Sequence, residues 1–228
     1  VMDAYGADTT YIMPVEVPSW TRGNIANAEA ELPDGERMTL HVTALGGSVP
    51  TPNDAAIRAP LLVVKHLDAL DTIDATGHIV LFNRAMDPLL INTGSAYGGA
   101  FDQRGGGASA AAKAGAIGVL VRSLTHALDT LPHTGSLRYA EDQPQIPAAA
   151  ISTVDASKLA NAAKSQSAPV HVSMQLNCRE LGSVTQGNVI GESAQVRVRL
   201  PLGTHPFQLT VVDDKGAATK AMVTIRIQ

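Results

Sequence analysis

A single cysteine, Cys178, stands among the 228 residues. A lone thiol makes no internal disulfide and excludes a cysteine-rich zinc or iron–sulfur centre. Its strand-like surroundings, Val172 to Asn177, predict a half-buried core thiol. Aromatic residues are only 4% of the chain, and Trp20 is the one tryptophan. The core must therefore be built from small aliphatic side chains, on short strands and Ala-rich helices. No apolar run approaches the ~20 residues that a helical bilayer span requires. The start, Val1-Met2-Asp3-Ala4, has no basic n-region and no apolar stretch. A removed signal peptide leaves a start of the same kind. Lys and Arg total 17 against 21 Asp and Glu, a net charge of −4. The basic residues are scattered, which argues against a nucleic-acid partner, because neutralising phosphates takes clustered Lys and Arg. What remains is an ordinary globular composition, 45% hydrophobic and 17% charged. The length suits one large domain, or a medium domain with a small one.

The pattern of elements is β-rich. Residues up to Met13 read as a loosely held lead-in. Pro14-Val15-Glu16-Val17-Pro18 reads as a short extended segment between prolines, which belong at strand edges and ends. Trp20 reads as a core or interface anchor. Met38 to Ala44 alternates as a half-buried strand does, and Leu45 to Pro52 is turn chemistry. Pro60 to Val64, His78 to Phe82, Gly118 to Arg122 and Ala148 to Ile151 read as buried strands. Leu67 to Leu70 forms one or two helical turns. Gly94 to Gly107 is a Gly-rich approach to a helix over Ala108–Ala114, with Gly115 as its cap. The long connection from Ser123 to Pro147 is functional or pinned by packing. Ser152 to Asp155 caps a helix over Ala156–Lys164, and Val170 to Cys178 alternates as a strand. Val196 to Leu200, Phe207 to Val212 and Met222 to Ile227 form a helix-free tail, with Asp213 to Gly216 as a hairpin turn.

Catalytic patterns are missing. Seven histidines are present, but no pair has the HExxH spacing that sets two ligands on one helical face. His66-Leu67-Asp68 offers two groups of a metal site and no third. There is no GxSxG elbow and no P-loop lysine. Gly105-Gly106-Gly107 reads as close packing of a helix start against the sheet. The best candidate for a polar binding surface combines the segment Tyr97 to Arg104 with the loop from His126 through His133 and Arg138 to Tyr139. Arg104 either holds a carboxylate with its planar fork or braces the helix. His133 either contributes to binding or ties the loop backbone.

Several segments together resemble a known family. They are Val15 to Gly23, Ala44 to Pro52, His78 to Arg84, Tyr97 to Arg104, Gly118 to Ser123, Pro132 to Gly135 and Ile146 to Ser152. In order and spacing they are similar to the protease-associated (PA) domain of carboxypeptidase Q-like zinc metallopeptidases, from about Pro14 to Glu192. The resemblance implies an α+β, β-rich fold: a PA-type β-barrel or sandwich with flanking short helices, followed by a C-terminal antiparallel β-hairpin. It divides the chain into a lead-in (1–13), a PA-like domain (14–192) and a tail (193–228). The tail resembles the last strands of a PKD-like or other immunoglobulin-like sandwich. In that family the metal ligands follow the segment matching Asn188 to Glu192, so the resemblance carries over no catalytic residue and no metal ligand. Zinc belongs here only through a peptidase domain elsewhere. The implied function is a non-catalytic, secreted (extracellular or periplasmic) module, its signal peptide removed. It would bind a peptide or protein, or shape access to a peptidase site. Its partner would be a peptidase domain or further copies of itself. Two alternatives are a fragment or rearranged relative of a secreted zinc-dependent aminopeptidase or carboxypeptidase, and a structural protein assembling through its terminal strands.

Overall fold

The computed structural model describes residues 9–164, 168–192, 203–212 and 218–227. Along the chain lie strands β1 (Thr9–Thr21), β2 (Ala26–Glu31), β3 (Arg37–Leu40), β4 (Val42–Ala44), β5 (Ile57–Val64) and β6 (Ile79–Phe82). Helices α1 (Thr93–Gly105) and α2 (Gly107–Lys113) follow, then strands β7 (Gly118–Arg122) and β8 (Ala148–Ile151) and helix α3 (Thr153–Ala162). Strands β9 (His171–Leu176), β10 (Arg179–Glu192), β11 (Gly203–Val212) and β12 (Ala218–Ile227) complete the order. The chain divides into two compact units, Pro18–Ser183 and a second made of Val1–Val17 with Val184–Gln228.

The larger unit is built on one eight-stranded sheet, in the order β3-β2-β9-β5-β6-β7-β8-β4. Strands β5 to β8 run parallel, while the pairs β3/β2, β2/β9, β9/β5 and β8/β4 are antiparallel. The strands at the two ends of this order, β3 and β4, are consecutive in the chain with only His41 between them. The sheet therefore nearly closes into a barrel, which leaves little free edge. The expected single strand from Met38 to Ala44 is broken at His41 for this reason. There the main chain leaves one neighbour for the other. Its amide donates to Asp155 Oδ2 at 2.8 Å and its carbonyl accepts from Ser152 N at 3.0 Å. A carboxylate and the start of α3 thus replace the missing ladder bonds.

Every residue of β6, β7 and β8 is buried. Ile79, Leu81, Leu120, Ala149 and Ile151 join a core with Met174, Leu176, Cys178 and the α3 residues Ala156 and Leu159. The alternate residues Val80, Phe82, Val119, Val121, Ala148 and Ala150 join a second core with Ala108, Ala111 and Ala112 of α2. Cys178 has no exposed surface. It is thus more enclosed than its alternating strand suggested, and burial pushes its thiol pKa up. Trp20 is half-buried against the first core, its Nε1 donating to Ser48 O at 2.9 Å.

Three differences from the sequence reading have physical causes. The Gly-rich stretch before Ala108 is itself a helix, capped by the Asn92 side chain, which accepts from Ser95 N at 3.2 Å. Its glycines lower helix propensity, but burial of Ala96, Ala100, Gln103 and Arg104 outweighs that. Strand β2, Ala-Asn-Ala-Glu-Ala-Glu, has no strand-forming residue types; pairing on both edges with β3 and β9 makes it one. Strand β1 begins at Thr9, inside the expected lead-in.

Strands β1 and β10 pair as a two-stranded sheet. Strands β11 and β12 form the expected antiparallel hairpin, in register from Gly203↔Ile227 to Val212↔Ala218. The expected strand Val196–Leu200 and turn Asp213–Gly216 lie outside the described residues.

Candidate functional site

Chemistry gathers at the carboxyl ends of the parallel strands, where open α/β sheets place their ligands. Residues just past β5, β6 and β7 and along α3 line a cleft of about 900 Å³. Its polar wall includes Lys65, Arg84, Arg122, Ser157, Asn161 and Lys164. Four lysine and arginine side chains line it with one carboxylate, Asp87, and a second carboxylate, Asp102, pairs with Arg84 from α1, on a chain whose net charge is −4.

Arg122 closes β7 and is only 7% exposed. Its Nη1 donates to Asn83 Oδ1 at 3.0 Å, Thr153 O at 3.1 Å and Ser157 Oγ at 2.9 Å. Its Nε is buried and has no hydrogen-bond partner among the described residues. Burial pushes the pKa of this guanidinium down. Arg84 follows β6. It pairs with Asp102 of α1, and its Nη1 lies 2.7 Å from His66 Nδ1. Its Nε is likewise buried without a partner. Its main chain is held by Gln103: Arg84 N donates to Oε1 at 3.1 Å, and Nε2 donates to Arg84 O at 2.8 Å. The cleft is thus rigid at its base and cationic. Among the described residues no group of three or more His, Cys, Asp or Glu is arranged to hold a metal ion; His66 turns to Arg84.

The residues expected from the sequence lie elsewhere. Arg104 is 7% exposed, with its Nη2 donating to the Tyr97 hydroxyl and its guanidinium over the Tyr97 and Phe101 rings at 5.2 and 5.1 Å. The Gly135 backbone lies so close to this guanidinium that a Cβ there would collide with it. Arg138 N donates to Gly105 O at 3.0 Å. The structure therefore brings the Tyr97–Arg104 segment and the long loop together, with Arg104 as a brace between them. His126, His133 and Arg138 are exposed. The pin at His133 is its main-chain amide, which donates to Ser123 Oγ at 2.8 Å. Tyr139 turns inward: its hydroxyl donates to Ile146 O at 2.6 Å and accepts from Val49 N at 3.3 Å. Burial pushes the Tyr139 phenol pKa up. The loop is also held where Gly46 N donates to Gly135 O, Leu137 N to Gly46 O, and Ala140 N to Ser109 Oγ. Hydrogen bonds, rather than secondary structure, pin this long connection.

Sequence reasoning missed the cleft residues because they are dispersed from Lys65 to Lys164. The available signal was positional: Lys65, Asn83 and Arg122 sit at the ends of successive buried strands, and ligands collect there.

The protein-family model of the PA domain matches residues 38–159. This chain belongs to the PA domain family. It is homologous to carboxypeptidase Q. The Xenopus laevis protein is 37% identical over 158 residues, which cover 68% of this chain and 31% of that protein. The Homo sapiens protein is 29% identical over 189 residues, 82% of this chain and 37% of that one. Among solved structures, the peptidase M28 precursor from Shewanella amazonensis SB2B is 35% identical with a TM-score of 0.74. That match covers 83% of this chain and 42% of the precursor. The aminopeptidase from Aneurinibacillus sp. strain AM-1 shares the fold at 15% identity and a TM-score of 0.56, over 83% of this chain and 39% of that one. The PA chain spans about a third of the length of the curated relatives it matches, 31% and 37% in these two cases.

Proposed function

We propose that this chain is the non-catalytic PA module of a secreted M28-type metallopeptidase, working outside the cell or in a periplasm. Its role is to hold peptide or protein segments, or to shape their access to a peptidase site. One observation carries the reading: the PA domain model matches residues 38–159 of a chain that matches only about a third of each carboxypeptidase Q relative. The cationic cleft at the carboxyl ends of β5, β6 and β7 supplies a surface suited to such segments. Zinc chemistry and bond cleavage belong, on this reading, to a peptidase portion outside these residues.

The test is direct. The purified 228-residue chain is assayed for zinc by elemental analysis and for hydrolysis of dipeptides and aminoacyl chromogenic substrates. It is then mixed with the Shewanella peptidase from which the matching segment has been deleted, and association is measured by analytical ultracentrifugation. The expected result is no stoichiometric zinc, no hydrolysis, and association. Stoichiometric zinc with turnover would overturn the reading in favour of a peptidase fragment. A concentration-dependent mass of the chain alone, without association, would favour self-assembly.

A further inference from the structure

We infer that the cleft beside β5, β6 and β7 is a carboxylate pocket, in which Arg122 and Arg84 take the C-terminal carboxylate of a peptide. The inference rests on the reading of the chain as a peptide-handling PA module and names the group that module recognises.

Buried donors in folded proteins are almost always paired, so an orphan marks a missing acceptor. Two arginines lining one cleft each keep a buried Nε with no partner among the described residues; in Arg84 that is the one nitrogen left, because Nη1 meets His66 and Nη2 meets Asp102. In Arg122 the acceptors Asn83, Thr153 and Ser157 all crowd onto Nη1. That leaves the other edge of the guanidinium, Nε with Nη2, as the side of the planar fork that a carboxylate grips with two parallel bonds. A third buried arginine with an unpartnered Nε, Arg104, lies outside this cleft, between the aromatic rings of α1. At the cleft, Lys65 and Lys164 add exposed positive charge at the rim, and this raises the local concentration of anions.

The rim next to it separates a peptide from a small inorganic anion. Pro88 lines the cleft, and the chain then runs through Leu89, Leu90 and Ile91, exposed by 86%, 42% and 100%. Three consecutive exposed apolar side chains beside a cationic pocket suit a ligand with an anionic end and an apolar body. The C-terminal residues of a peptide have that form.

The experiment uses the intact 228-residue chain at low salt. The probes are an N-acetylated apolar tripeptide with a free C-terminal carboxylate, the same tripeptide as its C-terminal amide, and inorganic phosphate. Calorimetry measures affinity. The 1H–15N signals of the arginine Nε–H groups report contact. The free acid is expected to bind about 10-fold more tightly than the amide, the size of one charge-assisted hydrogen-bond pair, and to shift the Arg84 and Arg122 Nε–H signals but not that of Arg104. Arg84→Lys should lower the affinity about 10-fold. Lys164→Gln, at an exposed position, should lower it about 2-fold. Arg122→Lys should abolish the acid–amide difference; if that variant does not fold, the acid–amide pair on the unaltered chain and Arg84→Lys still decide. Equal binding of acid and amide, no binding of either, or phosphate binding more tightly than the free acid would overturn the inference. Association with the peptidase, together with no acid–amide difference, removes this inference and leaves the PA reading. An acid–amide difference without association does the reverse.

Discussion

The two halves of the barrel sheet use their side chains differently. In the parallel half, β6, β7 and β8 bury every side chain, and successive residues feed two separate cores, while β5 at its border exposes Arg58. In the antiparallel half, β9 buries only alternate residues, and β2 likewise turns Asn27 and Glu29 to solvent while Ala28 and Ala30 are buried. Parallel strands need crossovers, and crossovers cover both faces. The same crossovers put loops at the strand ends. The cleft therefore belongs to the parallel half, where Asn83, Arg84 and Arg122 emerge, and the antiparallel half closes the barrel behind it.

This contrast can be broken by substitution, and chemical denaturation measures each case. Leu120→Ala, in a strand buried on both faces, is expected to cost about 2–5 kcal/mol, with Leu120 having no exposed surface. Val119→Ala, on the opposite face of the same strand and equally buried, should cost about 1–3 kcal/mol. A near-neutral Val119 variant would mean that only one face of the parallel half matters.

The seam between the halves is next in size. Asp155 binds the His41 amide and ring, each at 2.8 Å. Burial alone would raise the pKa of this carboxyl. The hydrogen bonds from the His41 main chain, the His41 ring and the Ser152 hydroxyl prevail and hold it below the usual carboxylate range. A folded-state pKa below the unfolded value means the contribution is complete above the ordinary value of 3.8 and is lost as pH falls through the folded value. Asp155→Asn should therefore cost about 1–3 kcal/mol at neutral pH. It should also flatten the acid side of the stability profile below about pH 4. An unchanged acid limb in the variant would show that another carboxylate governs it.

Gly115 tests the crossover that leads into β7. It sits at φ +88, and a Cβ there would press on Thr76 Oγ1 at 2.5 Å. Gly115→Ala should cost about 1–2 kcal/mol for the left-handed backbone. The smallest effect is expected in the antiparallel half. Glu29→Thr, at an exposed position of β2, should stay within about 0.5 kcal/mol. A larger loss there would mean that the outer face of this half is covered in the folded chain.

Legibility followed the same division. Strands β6, β7 and β8 were readable because a short apolar run buried on both faces has few other uses. Ser152 was readable as a cap, and its side chain accepts from Asp155 N at 3.1 Å. Strand β2 was not, because Ala and Glu favour helix until two neighbours claim the backbone. Helix α1 was not, because its glycines hide a face that only Ala96, Ala100 and Gln103 bury. The binding surface expected from Tyr97 to Tyr139 rests on loop position and side-chain type alone. Arg104 and Tyr139 of that set are turned inward, while His126, His133 and Arg138 remain at the surface.

Residue type and spacing decide that this chain folds as a β-rich PA domain, since apolar runs, turns and caps act over a few residues and survive as local patterns. They also place Asn83, Arg84 and Arg122 at strand ends. That Lys65, Arg84, Arg122 and Lys164 share one cleft, and that the two arginines there keep an Nε unpartnered among the described residues, is decided only in the tertiary structure. The parallel pairing of β5, β6 and β7 brings together residues that lie far apart in the chain, and no local pattern encodes that proximity.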